Sequence, residues 1–415
     1  MNIENNNTKP FYNTTIPSDW EVKKLGALVE IISGNSPSLF NLKNEGKYPY
    51  LKVEDLNNCE KYQETSREYS DDEKCIVPQY SVIFPKRGAA ILNNKVRINT
   101  LEVQMDSNLM AIYSNSQILN HEYLYYQITF EKLYKIADTS TIPQINNKHI
   151  TPYSIKLPPL PEQRTIAKAL SLMDSAINKN NQIIAQKELR KKWLMQNLLT
   201  GKKRLKINGE LKIDNGEWKE VALKDLFERV TRKNGEKNTN VVTISAQRGF
   251  VRQTDFFNKN IASELLDNYF LVEKGEFCYN KSYSNGYPKG ATKRLNDFDK
   301  AVVTTLYICF GIKDKSKTSG EFFEQFFNAN YLDRGLTKIA HEGGRAHGLL
   351  NVTPSDFFSL KITVPKYEEQ TAIAKVLQAA DKEIELLKAK TEKLREQKKG
   401  MMQVLLTGKK RLKIY

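Results

Sequence analysis

Cysteine and histidine are both scarce in this 415-residue chain, with four of each. Cys59, Cys75, Cys278 and Cys309 contain no Cys-x-x-Cys pair, which argues against a zinc site and a disulfide framework and fits a reducing compartment. His121, His149, His341 and His347 leave general acid–base chemistry few actors. The run His341-Glu342-Gly343-Gly344-Arg345-Ala346-His347 lacks the i, i+4 histidines of a zinc-protease helix. Long apolar runs are missing too: none reaches the roughly 18 residues of a membrane span, and the longest, 301–312, is interrupted by Thr304 and Thr305. Residues 1–5 have neither the basic nor the apolar region of a secretion signal. The expected location is the cytoplasm, with no membrane contact.

Catalytic motifs are absent as well. There is no Asn/Asp-Pro-Pro-Tyr/Phe tetrapeptide and no glycine-rich cofactor loop, as an amino-methyltransferase would need. Thr200-Gly201-Lys202-Lys203 lacks the upstream glycine and the following Ser/Thr of a phosphate loop. Asp19-Trp20-Glu21-Val22-Lys23 contains a nuclease-like Glu-x-Lys, but its second copy, Glu217-Trp218-Lys219-Glu220-Val221, does not keep it. A solvated helix start accounts for that stretch better. The expectation is a non-catalytic chain that binds no metal or cofactor.

What is present is positive charge, +16 overall. It invites a nucleic-acid partner, although an Asn/Lys/Ile-rich composition alone could produce it. Its distribution favours the partner. Residues 161–207 carry +8 and residues 369–415 carry +6, while 1–160 carry −1 and 208–368 carry +3. Two short segments thus hold most of the excess, and phosphate attraction would come largely from them.

Those two segments are copies. Glu162-Gln163-Arg164-Thr165-Ile166-Ala167-Lys168-Ala169-Leu170 recurs 207 residues later as Glu369-Gln370-Thr371-Ala372-Ile373-Ala374-Lys375-Val376-Leu377. The stretch from Met195 to Ile207 matches Met402 to Ile414 with one mismatch. Upstream, residues 17–25 resemble residues 215–223 at an offset of 198. The chain therefore contains a duplication whose halves share a beginning and an end and differ in their middles. Matched frames around divergent middles point to one architecture carrying two readers, against the plainer alternative of drift.

Segments 162–200 and 369–407 read as long helices. Apolar residues recur three and four apart, at 166, 170, 173, 177, 184, 194 and 198 in the first. Asn180, Lys187 and Lys191 interrupt that seam. Each copy ends in Thr-Gly, a C-terminal signal. At roughly 1.5 Å per residue each would span about 58 Å, and pairing as a coiled coil would cover the stripes; the alternative is that each docks on its own globular domain.

The middles, 17–160 and 217–366, read as mixed α/β. Residues 80–84 form an expected strand, 91–98 a hairpin turning at Asn93-Asn94, and 360–364 a half-buried strand. Helical patterns cover 121–137 and 321–339, and 151–159 is strand or extended. Polar, glycine-containing loops supply the candidate base-reading and phosphate-binding residues. In the first middle these are Lys86, Arg87, Arg97, Thr141, Gln144 and Asn146. In the second they are Arg248, Lys281, Tyr283, Asn285, Tyr287, Lys289, Arg345 and His347. Lys and Arg suit guanine and phosphate, and Asn and Gln suit adenine edges.

The pattern resembles the specificity subunits of type I restriction-modification enzymes. The resemblance rests on Leu160-Pro161-Glu162-Gln163-Arg164-Thr165-Ile166-Ala167, on Glu368-Glu369-Gln370-Thr371-Ala372-Ile373-Ala374, on the two Leu-Leu-Thr-Gly ends, and on Gly348-Leu349-Leu350-Asn351-Val352-Thr353. It covers the chain from about Pro17. The second Pro-x-x-Glu-Gln is altered to Pro365-Lys366-Tyr367-Glu368-Glu369-Gln370. The resemblance implies an α+β fold. Two target-recognition domains (17–160 and 217–366) would be separated by two long helices (161–200 and 367–407) pairing as an antiparallel coiled coil, with a linker at 201–216 and a basic tail at 408–415. It further implies binding of double-stranded DNA at a bipartite, asymmetric site, and docking of two modification (methyltransferase) subunits and of restriction (endonuclease/translocase) subunits. Gln163, Ile166, Leu170, Gln370, Ile373 and Leu377 are the candidate docking positions. S-adenosylmethionine would belong to the modification subunits, and ATP with Mg2+ to the restriction subunits. A non-catalytic coiled-coil scaffold binding proteins through its globular ends is the alternative.

If the helices act as a ruler between two readers, four residues inserted after Asn181, about 6 Å of helix, lengthen the unread spacer by one or two base pairs and leave both half-sites intact. Methylome sequencing of an active complex carrying the insertion reads the outcome, and an unchanged spacer rules the ruler out.

Overall fold

The structure is a computed structural model that describes residues 8–11, 14–139, 142–205, 217–253, 266–339, 341–342 and 350–412. Its contacts divide the chain into two units, Met1–Asn181 with Ala389–Tyr415, and Gln182–Lys388.

The first unit is built on β1 (Val29–Ser33), β2 (Val82–Pro85), β3 (Arg97–Asn99) and β4 (Leu109–Ser114), ordered β1-β4-β2-β3 with Tyr62–Gln63 at the edge. β4 runs antiparallel to both neighbours, with Met110 opposite Phe84 and Ile112 opposite Ile31. Successive side chains leave a strand on opposite faces, and here both faces are covered. Val82, Phe84, Met110 and Ile112 join a core with Tyr123, Leu124 and Tyr126 of the helix His121–Glu131. Ile83, Leu109 and Ala111 join a second core with Leu51, Leu56 and Val103.

The second unit repeats this plan with β5 (Phe227–Val230), β6 (Phe277–Asn280), β7 (Ala291–Arg294) and β8 (Ile308–Ile312), ordered β5-β8-β6-β7. Phe277, Tyr279, Ile308 and Phe310 face the helix Gly320–Asn328, and Cys278 and Cys309 face the other core. Tyr123 and Tyr126 line the first helix side; phenylalanines fill the second.

The long helices are α1 (Leu160–Leu198) and α2 (Tyr367–Leu405), 39 residues each. In the first unit Ile166, Ala167 and Leu170 of α1 pack in the core that also holds Met402 and Leu405 of α2. In the second, Ile373, Ala374 and Leu377 of α2 share a core with Leu198 of α1. The start of one helix thus lies beside the end of the other, so they pair antiparallel. The two readings kept open by the sequence both hold, because the helix starts also dock on the globular domains. The polar interruptions of the seam are accounted for differently. Lys187 and Lys191 pair with Glu383 and Asp381, while Asn180 is buried with its Nδ2 unpartnered.

Repeated polar contacts fasten each helix start to its domain. Gln163 accepts from the Asn120 N–H at 2.9 Å and donates to the Ile118 and Pro158 carbonyls. Gln370 accepts from the Ser319 N–H at 2.9 Å and donates to the Lys317 and Pro365 carbonyls. Asn120 and Ser319 are the N-caps of the helices behind the sheets. Farther along, Asp174 accepts from Tyr126 and pairs with Lys398, and Asp381 accepts from Gln325 and pairs with Lys191.

Four sequence expectations are corrected. Residues 91–98 do not form a hairpin. Ala89–Leu92 is one helical turn, and Asn94 uses its amide to bind Thr129 O and the Leu133 N–H. The helical pattern 121–137 is broken at Lys132 (φ +69°) and 321–339 near Asn330 (φ +59°), each left-handed without being glycine. Residues 19–23 do not start a helix. Glu21–Lys24 is a strand paired with Ser154–Leu157, which also places 151–159, and Lys219–Ala222 pairs likewise with Lys361–Val364. The strand expected from Tyr80 begins at Val82, because Tyr80 is left-handed (φ +67°).

Gln163→Leu keeps the volume and takes the partner from one half-buried N–H, one half-buried carbonyl and the buried Pro158 carbonyl, the buried loss costing about 1–3 kcal/mol. The first unit is expected to lose about 2–4 kcal/mol in denaturant unfolding. A loss under 0.5 kcal/mol would contradict the fastening role.

Candidate nucleic-acid interface

In both units the chain leaves the central strand at a lysine and meets a returning segment. After β2, the Lys86 N–H donates to Asn108 O at 2.8 Å, and Lys86 O accepts from the Ile145 N–H at 2.9 Å. Arg87 pairs with Gln144, and the Gly88 N–H donates to Pro143 O at 2.9 Å. Gly88 has φ +80°, a conformation suited to glycine. Although 57 to 60 positions apart in sequence, Lys86-Arg87 and Gln144-Asn146 thus form one surface. Arg87 is exposed, and the Asn146 Oδ1 is buried with no partner. Burial, with Arg87 adding to it, pushes the Lys86 ammonium below its ordinary value.

Arg97 is not part of that surface. It lies on β3 opposite Ile83, and its Nη1 donates to the neighbouring Val96 O at 2.7 Å. Thr141 lies outside the described residues, as do Arg345 and His347.

In the second unit β6 ends at Asn280, and Lys281 follows. Lys281 O accepts from the Leu350 N–H at 3.2 Å, and its Nζ reaches Val352 O at 3.5 Å. Burial lowers this ammonium as well. The loop then turns at Asn285-Gly286: Tyr287 N–H donates to Ser284 O at 2.8 Å, and Gly286 has φ +80°. A positive φ at the third position of a turn suits glycine. Tyr283 projects, 66% exposed. Tyr287 instead holds Lys293, whose Nζ lies 4.5 Å from the ring centroid and donates to its hydroxyl. Lys289 offers its carbonyl to Tyr279 OH at 2.7 Å. Gly290 is obligatory, since a Cβ there would come within 2.4 Å of Asn280 O.

Arg248 sits exposed in the turn between the strands Val242–Ser245 and Gly249–Arg252. Beside it Gln247, which the sequence reading passed over, donates from Nε2 to Asn285 O at 3.0 Å. This bond joins the Arg248 turn to the 282–287 loop. The triplet Gln247-Arg248-Gly249 carried a turn signal, but nothing local to it indicated its neighbour.

The six docking candidates are placed differently from expectation. Gln163, Ile166, Leu170, Gln370, Ile373 and Leu377 are all buried inside their own units, at 2% exposure or less, so their side chains are not open to a partner. Part of the basic excess is likewise used internally. Arg411 pairs with Asp19 and the fully buried Glu162, and Arg204 with the buried Glu369. Among the described residues no group of three or more His, Cys, Asp or Glu could hold a metal ion, and no helix is long and apolar enough to cross a membrane.

The family model for the type I restriction modification DNA specificity domain matches twice, over residues 17–188 and 215–396. The type I restriction enzyme MjaVIII specificity subunit of Methanocaldococcus jannaschii is 25% identical over 98% of this chain and 96% of its own length. A putative MjaX specificity subunit of the same organism is 28% identical over 96% and 95%. Among solved structures, the S subunit of a type I restriction-modification system from M. genitalium superposes with a TM-score of 0.55 at 14% identity, covering 96% of this chain and 98% of that one.

Lys281→Met tests the burial of the loop lysines. A lysine whose folded value is lowered weakens the fold while charged, and the penalty fades as pH rises toward the unfolded value of about 10.4. The melting temperature of wild type relative to the variant is therefore expected to rise between pH 7 and about 10.5. A gap independent of pH would refute the charge argument.

Proposed function

This chain belongs to the type I restriction-modification DNA specificity family, and we propose that it reads a bipartite, asymmetric DNA site, one half-site with each of its two readers, 17–160 and 217–366. The observation that carries this reading is the repeated exit of the chain at a half-buried lysine, Lys86 and Lys281, flanked by different side chains. The first reader presents Arg87 and Gln144; the second presents Arg248, Tyr283 and Asn285. Equal frames with unequal chemistry are what recognition of two different sequences requires.

The role of the chain is recognition, and the reactions belong to its partners. Methyl transfer would be supplied by modification subunits holding S-adenosylmethionine, and cleavage by restriction subunits using ATP and Mg2+. This assembly would work in the cytoplasm. Docking would use the outward faces of the long helices, where Leu172, Leu189 and Leu386 are more than 60% exposed, since the six buried positions are not accessible. A scaffold that only binds proteins would suit the helices equally well, but leaves the matched lysine-led loops without a use.

Replacing residues 217–366 by another reader is expected to change one half-site of the methylated sequence and leave the other. Lys86→Ala and Lys281→Ala should each weaken DNA binding without altering either half-site, and lower the salt slope by about 1. Anisotropy titrations across salt, with methylome mapping, check both. A reader exchange that altered both half-sites together would refute the assignment.

A further inference from the structure

A cleft of about 430 Å3 opens in the second unit between the Gln247 turn, the start of the 282–287 loop and residues 304–307. Its lining includes Ser245, Gln247, Asn280, Asn285, Thr304 and Leu306, and among the described residues none that lines it is charged. Cations lie close by in sequence, at Arg248 and Lys281, but neither lines the cleft.

We infer that this cleft reads an A·T base pair of the second half-site, through the amides of Gln247 and Asn285 and the side chain of Leu306. The inference rests on the function proposed above and deepens it. Guanine presents two acceptors to the major groove and is matched by Arg or Lys; adenine presents an acceptor beside a donor and is matched by an amide. A cleft whose described lining offers amides and hydroxyls fits the second pattern.

The geometry prepares that contact. One Nε2 hydrogen of Gln247 is engaged by Asn285 O, which orients the amide and leaves Oε1 and the second N–H for the adenine N6 and N7 positions. Asn285 is held at the tip of its turn by the Ser284–Tyr287 bonds and by Asn330, which donates to Gly286 O at 2.8 Å. On the other wall the Tyr307 hydroxyl contacts Thr243 Oγ1 at 3.1 Å and accepts from the Ile244 N–H. Walls fixed in advance lose less ordering entropy on binding. Leu306 is 58% exposed beside this polar cleft. An apolar group there matches the thymine methyl, the feature that marks the other base of the pair.

The test uses the chain assembled with its modification subunits, on duplexes carrying the methylome-defined site. Each adenine of the second half-site is replaced in turn by 7-deazaadenine, which lacks the N7 acceptor, and each thymine by deoxyuridine, which lacks the methyl. At one pair, 7-deazaadenine is expected to weaken wild-type binding about tenfold, and deoxyuridine a few-fold. Gln247→Ala should bind the natural duplex about tenfold more weakly and no longer respond to 7-deazaadenine. Gln247→Glu keeps the size but can donate neither to N7 nor to Asn285 O, so it should behave the same way, and unchanged melting of both variants excludes misfolding as the cause. Leu306→Ala should lose only the deoxyuridine response. Wild type indifferent to 7-deazaadenine throughout the second half-site, or Gln247→Ala with its full response, overturns the inference and leaves the proposed function standing. A complex that binds no specific duplex overturns both.

Discussion

One buried amide in each unit holds the remaining structure to a single geometry. Gln163 and Gln370 sit one turn inside the long helices, and each satisfies the capping region of a domain helix and the chain entering its own helix. An amide with both ends engaged in the interior cannot slide or rotate without leaving buried groups unpaired, which is costly. The helix start is thereby locked in register with the sheet it carries. The Asp174 and Asp381 contacts, about three turns further on, extend the lock to the partner helix.

The duplication makes the same lock twice by crossing the two copies. Arg411, from the end of the second copy, pairs with Glu162 from the start of the first; Arg204, from the end of the first, pairs with Glu369 from the start of the second. Glu162 also accepts from Trp20 Nε1 at 3.1 Å. Burying a carboxylate is costly without a cation and hydrogen bonds to it, and the Thr-Gly-Lys-Lys-Arg ends supply that cation in both copies. Those basic ends are structural as much as electrostatic, and net charge alone overstates what is available to a polyanion.

Against this constant frame the loops vary at low cost. Both central strands bury every side-chain position except the last, Asn280, and the differences begin where the chain leaves the sheet. Lys86 leads into an arginine and a short helical turn, whereas Lys281 leads into an Asn-Gly turn closed against Gln247. Because the loop ends are pinned by backbone hydrogen bonds, their side chains can change without disturbing the cores.

Much was legible without tertiary structure. The 207-residue repeat, both long helices, the alternation at 360–364 and the glycine-containing loops rest on local periodicity and self-similarity, which short stretches of sequence carry in full. The packing decided the rest. Asn93-Asn94 reads as a hairpin turn until Asn94 is claimed by Thr129 and Leu133, some 35 to 39 residues away. Lys132 breaks its helix in a conformation that lysine does not announce, whereas the left-handed Asn330 uses one that asparagine tolerates better than most residues. Gln163 and Gln370 look like surface polar residues on a helix start, and only the loops that meet them reveal buried ties. The physical reason is common to all of these: periodicity is set by neighbours along the chain, but a buried polar group takes whatever partner the fold brings to it.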